Sequence, residues 1–138
     1  MASPAVYDAI RAFLEAQFTT TPLIFENEGM PSTDTWTLIE FASVSYTQES
    51  IGSRTQATNR FDEEGSFFAH VMVRIGTGVR SALSTGFAIA DLFRGLTLLN
   101  GALEFTDVVV GYGGPDDEGN WYRVSVNIGW RNMDSRRP

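Results

Sequence analysis

Hydrophobic positions change their period several times along this chain, and each change marks a new element. Val6, Ile10, Phe13, Leu14 and Phe18 recur at helical spacing, with Arg11, Glu15 and Gln17 on the other side, so a first helix with one apolar face is predicted. Ser3 followed by Pro4 reads as its N-cap with proline at the first helical position. The run from Thr19 to Pro22 ends it. Leu23 to Glu26 is a short strand, stopped by Gly29 and Pro31. Thr35 to Thr47 reads as a longer strand with Trp36, Leu38, Ala42 and Val44 on one face. Ile39 and Phe41 leave its opposite face only partly polar. A strand apolar on both sides is either central between layers or covered by a neighbouring subunit.

Strict alternation returns at Phe67, Ala69, Val71, Val73 and Ile75, interleaved with Phe68, His70, Met72 and Arg74. Gly76-Thr77-Gly78 turns that strand into a second helix, whose expected core stripe is Val79, Leu83, Gly86, Phe87, Ala90 and Phe93. Thr77 is the expected N-cap, Arg94 suits the carbonyl end of the helix dipole, and Gly95 is a natural C′ residue. After Leu96 to Leu99, Asn100-Gly101 signals a tight turn. Leu103 to Tyr112 reads as a strand, Gly113 to Gly119 as a solvated loop, and Trp121 to Trp130 as the return strand with its even positions apolar. The expected architecture is α+β: a mostly antiparallel sheet with two helices packed on one face and a long projecting β-arm or loop. Residues 1–131 form the expected single domain, with the arm at about 47–66 and a tail at 132–138.

That arm is the least core-like stretch, Gln48 to Gly65. A segment of this length inside a small domain is uncommon and usually functional or disordered; two strands meeting at a projecting arm also fit. It carries Arg54, Arg60, Phe61, Asp62, Glu63 and Glu64, and both signs of charge on a projection suit charge-complementary docking. The alternative is a merely solvated loop.

Composition then removes whole classes of chemistry. The chain has 138 residues and no cysteine, which leaves no disulfide, thiolate metal site or cysteine nucleophile. Lysine is absent and every cation is arginine, so neither a Schiff base nor a phosphate loop of the GxxxxGK type is available. One histidine, His70, excludes a His-rich metal centre; alone on its strand, it reads as structural or interfacial rather than catalytic. The formal charge of −7 opposes an ordinary nucleic-acid-binding surface. No apolar run approaches the roughly 20 residues that span a bilayer, and the opening residues lack a signal-peptide pattern. Gly76-Thr77-Gly78 lacks the third glycine of a dinucleotide fingerprint. Asp116-Asp117-Glu118 lacks the spacing of a calcium loop. No metal, no cofactor and no enzymatic activity are expected.

Several segments, in order, resemble the tail terminator-like proteins of long-tailed bacteriophages: Ile10 to Phe18; Leu23 to Asn27 with the Gly/Pro break; Trp36 to Phe41; Phe68 to Ile75 with Gly76-x-Gly78; Ala90-Asp91-Leu92-Phe93-Arg94-Gly95; and Asn120-Trp121-Tyr122-Arg123-Val124-Ser125-Val126. The family pattern often carries a proline near the strand-to-helix turn, where this chain has Ile75-Gly76-Thr77. The resemblance implies a structural virion protein, assembled in the host cytoplasm into a homo-oligomeric ring, commonly a hexamer. Such a ring caps the tail tube, halts its polymerisation and faces the head–tail connector protein, while DNA passes through the lumen without specific binding. Rival readings are another head–tail junction protein, such as a head-completion protein, and a small-ligand-binding α+β domain with a pocket that includes His70.

Overall fold

The computed structural model describes residues 3–29, 35–42, 44–48, 61–115 and 119–134. The first helix, α1 (Pro4–Gln17), buries Val6, Ile10 and Leu14, one residue per turn of its apolar stripe. Pro4 sits in the first turn, where a missing N–H leaves no helical bond unmade. Ser3 occupies the N-cap position, but its side chain makes no bond to the helix; it is engaged elsewhere, as described below.

The strands are β1 (Leu23–Phe25), β2 (Thr35–Phe41), β3 (Ser45–Gln48), β4 (Phe61–Arg74), β5 (Thr97–Leu98), β6 (Leu103–Pro115) and β7 (Trp121–Asp134); the second helix, α2 (Arg80–Phe93), lies between β4 and β5. They form one seven-stranded sheet in the order β1-β2-β4-β7-β6-β5, with β3 also on β4. Among the described residues only the β1–β2 pair is parallel. The single strand expected from Thr35 to Thr47 is two strands, β2 and β3, laid end to end along one edge of β4. Between them the Ala42 amide still reaches the Ser66 carbonyl at 2.9 Å. The last strand runs to Asp134, three residues beyond the expected domain boundary at Arg131.

Both helices cover the same face. Ile39, Phe41, Phe67, Ala69, Val71, Val124, Val126 and Ile128 point into one core with α1 and α2. A chain of ring contacts runs through it: Tyr7 to Phe41 (5.1 Å), Phe41 to Phe67 (5.5 Å), Phe67 to Phe93 (5.3 Å), Phe93 to Phe13 (5.3 Å) and Phe93 to Phe105 (4.9 Å). These tilted and edge-to-face arrangements suit the aromatic quadrupoles and tie both helices to the sheet.

Two local expectations are corrected. In α2 the buried residues are Ala82, Gly86, Ile89, Ala90 and Phe93, while Phe87 is 55% exposed. The helix is rotated because it approaches the sheet at Gly86, where an added Cβ would already lie 3.4 Å from Val126 Cγ2. At the strand-to-helix turn, Thr77 does not cap α2. Its hydroxyl donates to the Arg74 carbonyl at 2.7 Å, and Gly76 and Gly78 take the positive φ values, 87° and 84°, that the turn requires.

Candidate functional site

Of the expected interaction residues, Phe61 to Glu64 open the long strand β4. There β3 pairs with the first residues of β4, Ser45 opposite Glu64 and Gln48 opposite Phe61. On its other side β4 pairs with the end of β7, Phe61 opposite Asp134 and Glu64 opposite Arg131. Asp62-Glu63-Glu64 is therefore in the middle strand of a three-stranded base. Arg54 and Arg60, with residues 49–60 as a whole, lie outside the described residues, as do Asp116, Asp117 and Glu118. Phe61 opens β4.

Strand alternation sends the three carboxylates to different environments. Glu63 points to the helix side and is 2% exposed. It accepts the Ser3 backbone N–H at 2.8 Å, the Ser3 hydroxyl at 2.8 Å and the Asn132 side-chain amide at 3.3 Å. A carboxylate at a helix N-terminus satisfies an otherwise open donor and meets the positive end of the dipole. Asp62, on the helix-free side, is fully buried; its Oδ2 accepts from Arg131 Nε at 2.8 Å and lies 2.7 Å from Nη2, so one carboxylate oxygen takes both guanidinium nitrogens. Glu64 is exposed. Asp62 and Glu63 thus fasten the start of β4 to α1 and β7, and Glu64 remains at the surface.

No local motif reveals Ser3, Arg131 and Asn132 as partners in this base. They stand 60 and 69 residues from Glu63 and Asp62 in sequence, and only sheet register brings them together.

The helix-free face holds a second polar group. His70 Nδ1 lies 2.7 Å from the Ser125 hydroxyl and Nε2 lies 3.1 Å from Glu40 Oε1, while its ring stacks on Phe68 at 5.5 Å. Burial pushes the His70 pKa below its ordinary value, against the pull of Glu40 and with the help of Arg123. The order Glu–His–Ser resembles a proton relay. Its surroundings do not favour acyl chemistry: Ser125 lies mid-sheet, with His70 opposite on β4 and Gly111 opposite on β6, so the neighbouring amides are engaged in the ladders rather than converging as an oxyanion hole. Hollows of about 400, 310 and 190 Å³ lie at the β6 bulge, at Gly76–Val79 and beside Phe87; His70 lines none of them. Among the described residues no acidic and histidine side chains gather as a metal site, and no helix is long and apolar enough to cross a membrane.

Comparison with known proteins completes the picture. A family profile described as phage tail terminator protein matches residues 5–130, nearly the whole chain. No curated protein matches it. A solved structure superimposes with a TM-score of 0.63 over 100% of this chain and 99% of its own, at 19% identity, which shows a shared fold.

Proposed function

Because the chain belongs to the phage tail terminator family, and is therefore a structural component of the phage tail, we propose that it closes into a ring, of six copies, that caps the finished tail tube. One ring face binds the last tube subunits and stops polymerisation; the other is presented to the head connector. The observation that carries this reading is the family match across residues 5–130. The arm base supports it. A segment that docks on a partner needs its flanking strand held in place, and Glu63 and Asp62 hold the start of β4, directly after residues 49–60, through bonds to Ser3, Asn132 and Arg131.

In this reading the arm reaches a neighbouring protein through Arg54, Arg60 and Glu64, with Phe61, Asp62 and Glu63 forming its root. The excess of acidic residues, −7 overall, suits a lumen through which DNA slides without binding, since a negative wall repels phosphates. Assembly takes place in the host cytoplasm before the tail joins the head. The test is polymerisation of purified tail tube protein with and without this chain. Wild type is expected to halt elongation at defined ends. Arg54→Glu with Arg60→Glu is expected to keep the fold and lose the capping; capping at the wild-type level by that double variant removes the arm from the mechanism.

A further inference from the structure

Two exposed apolar features lie on opposite faces of the same part of the sheet. On the helix side, Phe87 is 55% exposed and borders the groove of about 190 Å³ formed with Ala90, Val108, Val110 and the Asp91–Arg94 ion pair. On the helix-free side, Val109 is 59% exposed and borders a hollow of about 400 Å³. That hollow has a clear cause. A register shift lies between Phe105 and Val108, and Thr106 sits over Gly129, with its hydroxyl 3.0 Å from where a Cβ there would be. The hollow opens beside that contact, between Ser66, Asn127 and Val109, where the bulge moves one strand away from its neighbour.

Charge distinguishes the two features. The hollow is rimmed by Glu64 and Asp107, both exposed, and the Arg131 beside them is already bonded to Asp62. On α2, Arg80 is exposed and lies two turns before Phe87, on the same side of the helix and roughly 10 Å away along the axis. One surface therefore offers an aromatic ring flanked by Arg80 and by Arg94, the latter paired with Asp91, a net positive charge, and the other an open hollow with two carboxylates.

We propose that these surfaces fit each other between copies: Phe87 of one subunit enters the hollow beside Ser66 and Val109 of the next, and its Arg80 meets Glu64 and Asp107 there. The occupant is a second copy of this chain. Charge complementarity selects it, and so does placement. Two different surfaces on opposed faces make a head-to-tail contact, which closes into a ring when its rotation divides a full turn, whereas one self-complementary patch would stop at a dimer. The exposed aromatic is the expected anchor, since such side chains dominate interface energetics.

The inference rests on the ring reading above, and mixing two full-length variants separates them. Phe87→Asp removes the ring and leaves the hollow; Ser66→Trp fills the hollow and leaves the ring. Each alone, folded by circular dichroism, is expected to raise the concentration for half-assembly at least about 30-fold in native mass spectra. Mixed one to one, they are expected to give a heterodimer that grows no further, because one intact knob meets one intact hollow. Rings at wild-type concentration from either variant, or a mixture that stays monomeric, overturn the inference while wild type still forms rings. A wild-type chain that stays monomeric even with tube ends present overturns the ring reading itself. Should Ser66→Trp fail to fold, Asp107→Arg mixed with Arg80→Glu tests the same contact with exposed charges alone, and a mixture of these two that does not associate is equally decisive.

Discussion

Removing the Glu63 carboxylate tests whether the start of β4 is anchored to α1 as the structure indicates. In Glu63→Ala the Ser3 amide, the Ser3 hydroxyl and the Asn132 amide all lose their acceptor. A hydrogen bond to a charged group contributes about 1.5–3 kcal/mol, and a charge at a helix N-terminus adds roughly 0.3–1 kcal/mol. Ser3 lies near solvent and regains water. Asn132 is only 7% exposed and does not. The net loss is therefore about 2–4 kcal/mol, less than the sum of the separate bonds. At roughly 3 °C per kcal/mol for a domain of this size, the thermal midpoint falls by about 6–12 °C. Glu64→Ala, one residue on and exposed, is the matched control and shifts it by less than about 2 °C. Circular dichroism melts report the midpoints. Hydrogen exchange at the first-turn amides of α1, faster in Glu63→Ala only, shows where the loss occurs. Equal melting of the two variants, or a Glu63→Ala midpoint within 2 °C of wild type, refutes the anchoring role.

The other expectations rest on different parts of the molecule. Arg131→Met strands the fully buried Asp62 carboxylate; because the Arg131 side chain is itself 35% exposed, the loss is about 2–3 kcal/mol, in urea unfolding, against less than about 0.5 kcal/mol for the exposed Arg123→Met. His70 is held neutral by burial, below its ordinary 6.5, so the unfolded chain takes the proton first as acid is added. Stability from this group is complete above about pH 6.5, falls as pH drops through that value, and levels off below the folded pKa. His70→Gln should flatten that decline, measured as the unfolding midpoint between pH 7.5 and 5.5; Glu40, Arg123 and Ser125 are the groups that face it. Gly86→Ala places a Cβ 3.4 Å from Val126 and is expected to be neutral or stabilising by up to about 1 kcal/mol through helix propensity. Gly86→Leu overpacks the same spot and costs about 1–3 kcal/mol in thermal unfolding.

Periodicity made the core elements legible. The stripe of Val6, Ile10 and Leu14, the alternation at Phe67 to Val73 and the even positions of β7 are statements about burial, and burial is what builds those elements. The Asp62-Glu63-Glu64 run was opaque for the same reason. Three acidic residues read as solvent, and the partners that make two of them interior lie on α1 and at the end of β7. Phe87 misleads in the opposite sense. A phenylalanine in an amphipathic helix reads as core, yet Gly86, one position away, is where helix and sheet come closest. That choice turns Ala82, Gly86, Ile89 and Phe93 inward at helical spacing and leaves Phe87 outside. The Glu40–His70–Ser125 chain was hidden because its members sit on three strands that become neighbours only in the sheet. The resemblance to tail terminators needed none of this detail, since it depends on the order of short segments.

Electron cryomicroscopy of tail tubes assembled with this chain tests the central claim most directly. The account predicts a closed ring of its subunits at one end of each tube, with the 49–60 segment in contact with a neighbouring protein. Subunits scattered along the tube wall, or bare ends beside free monomers, contradict it.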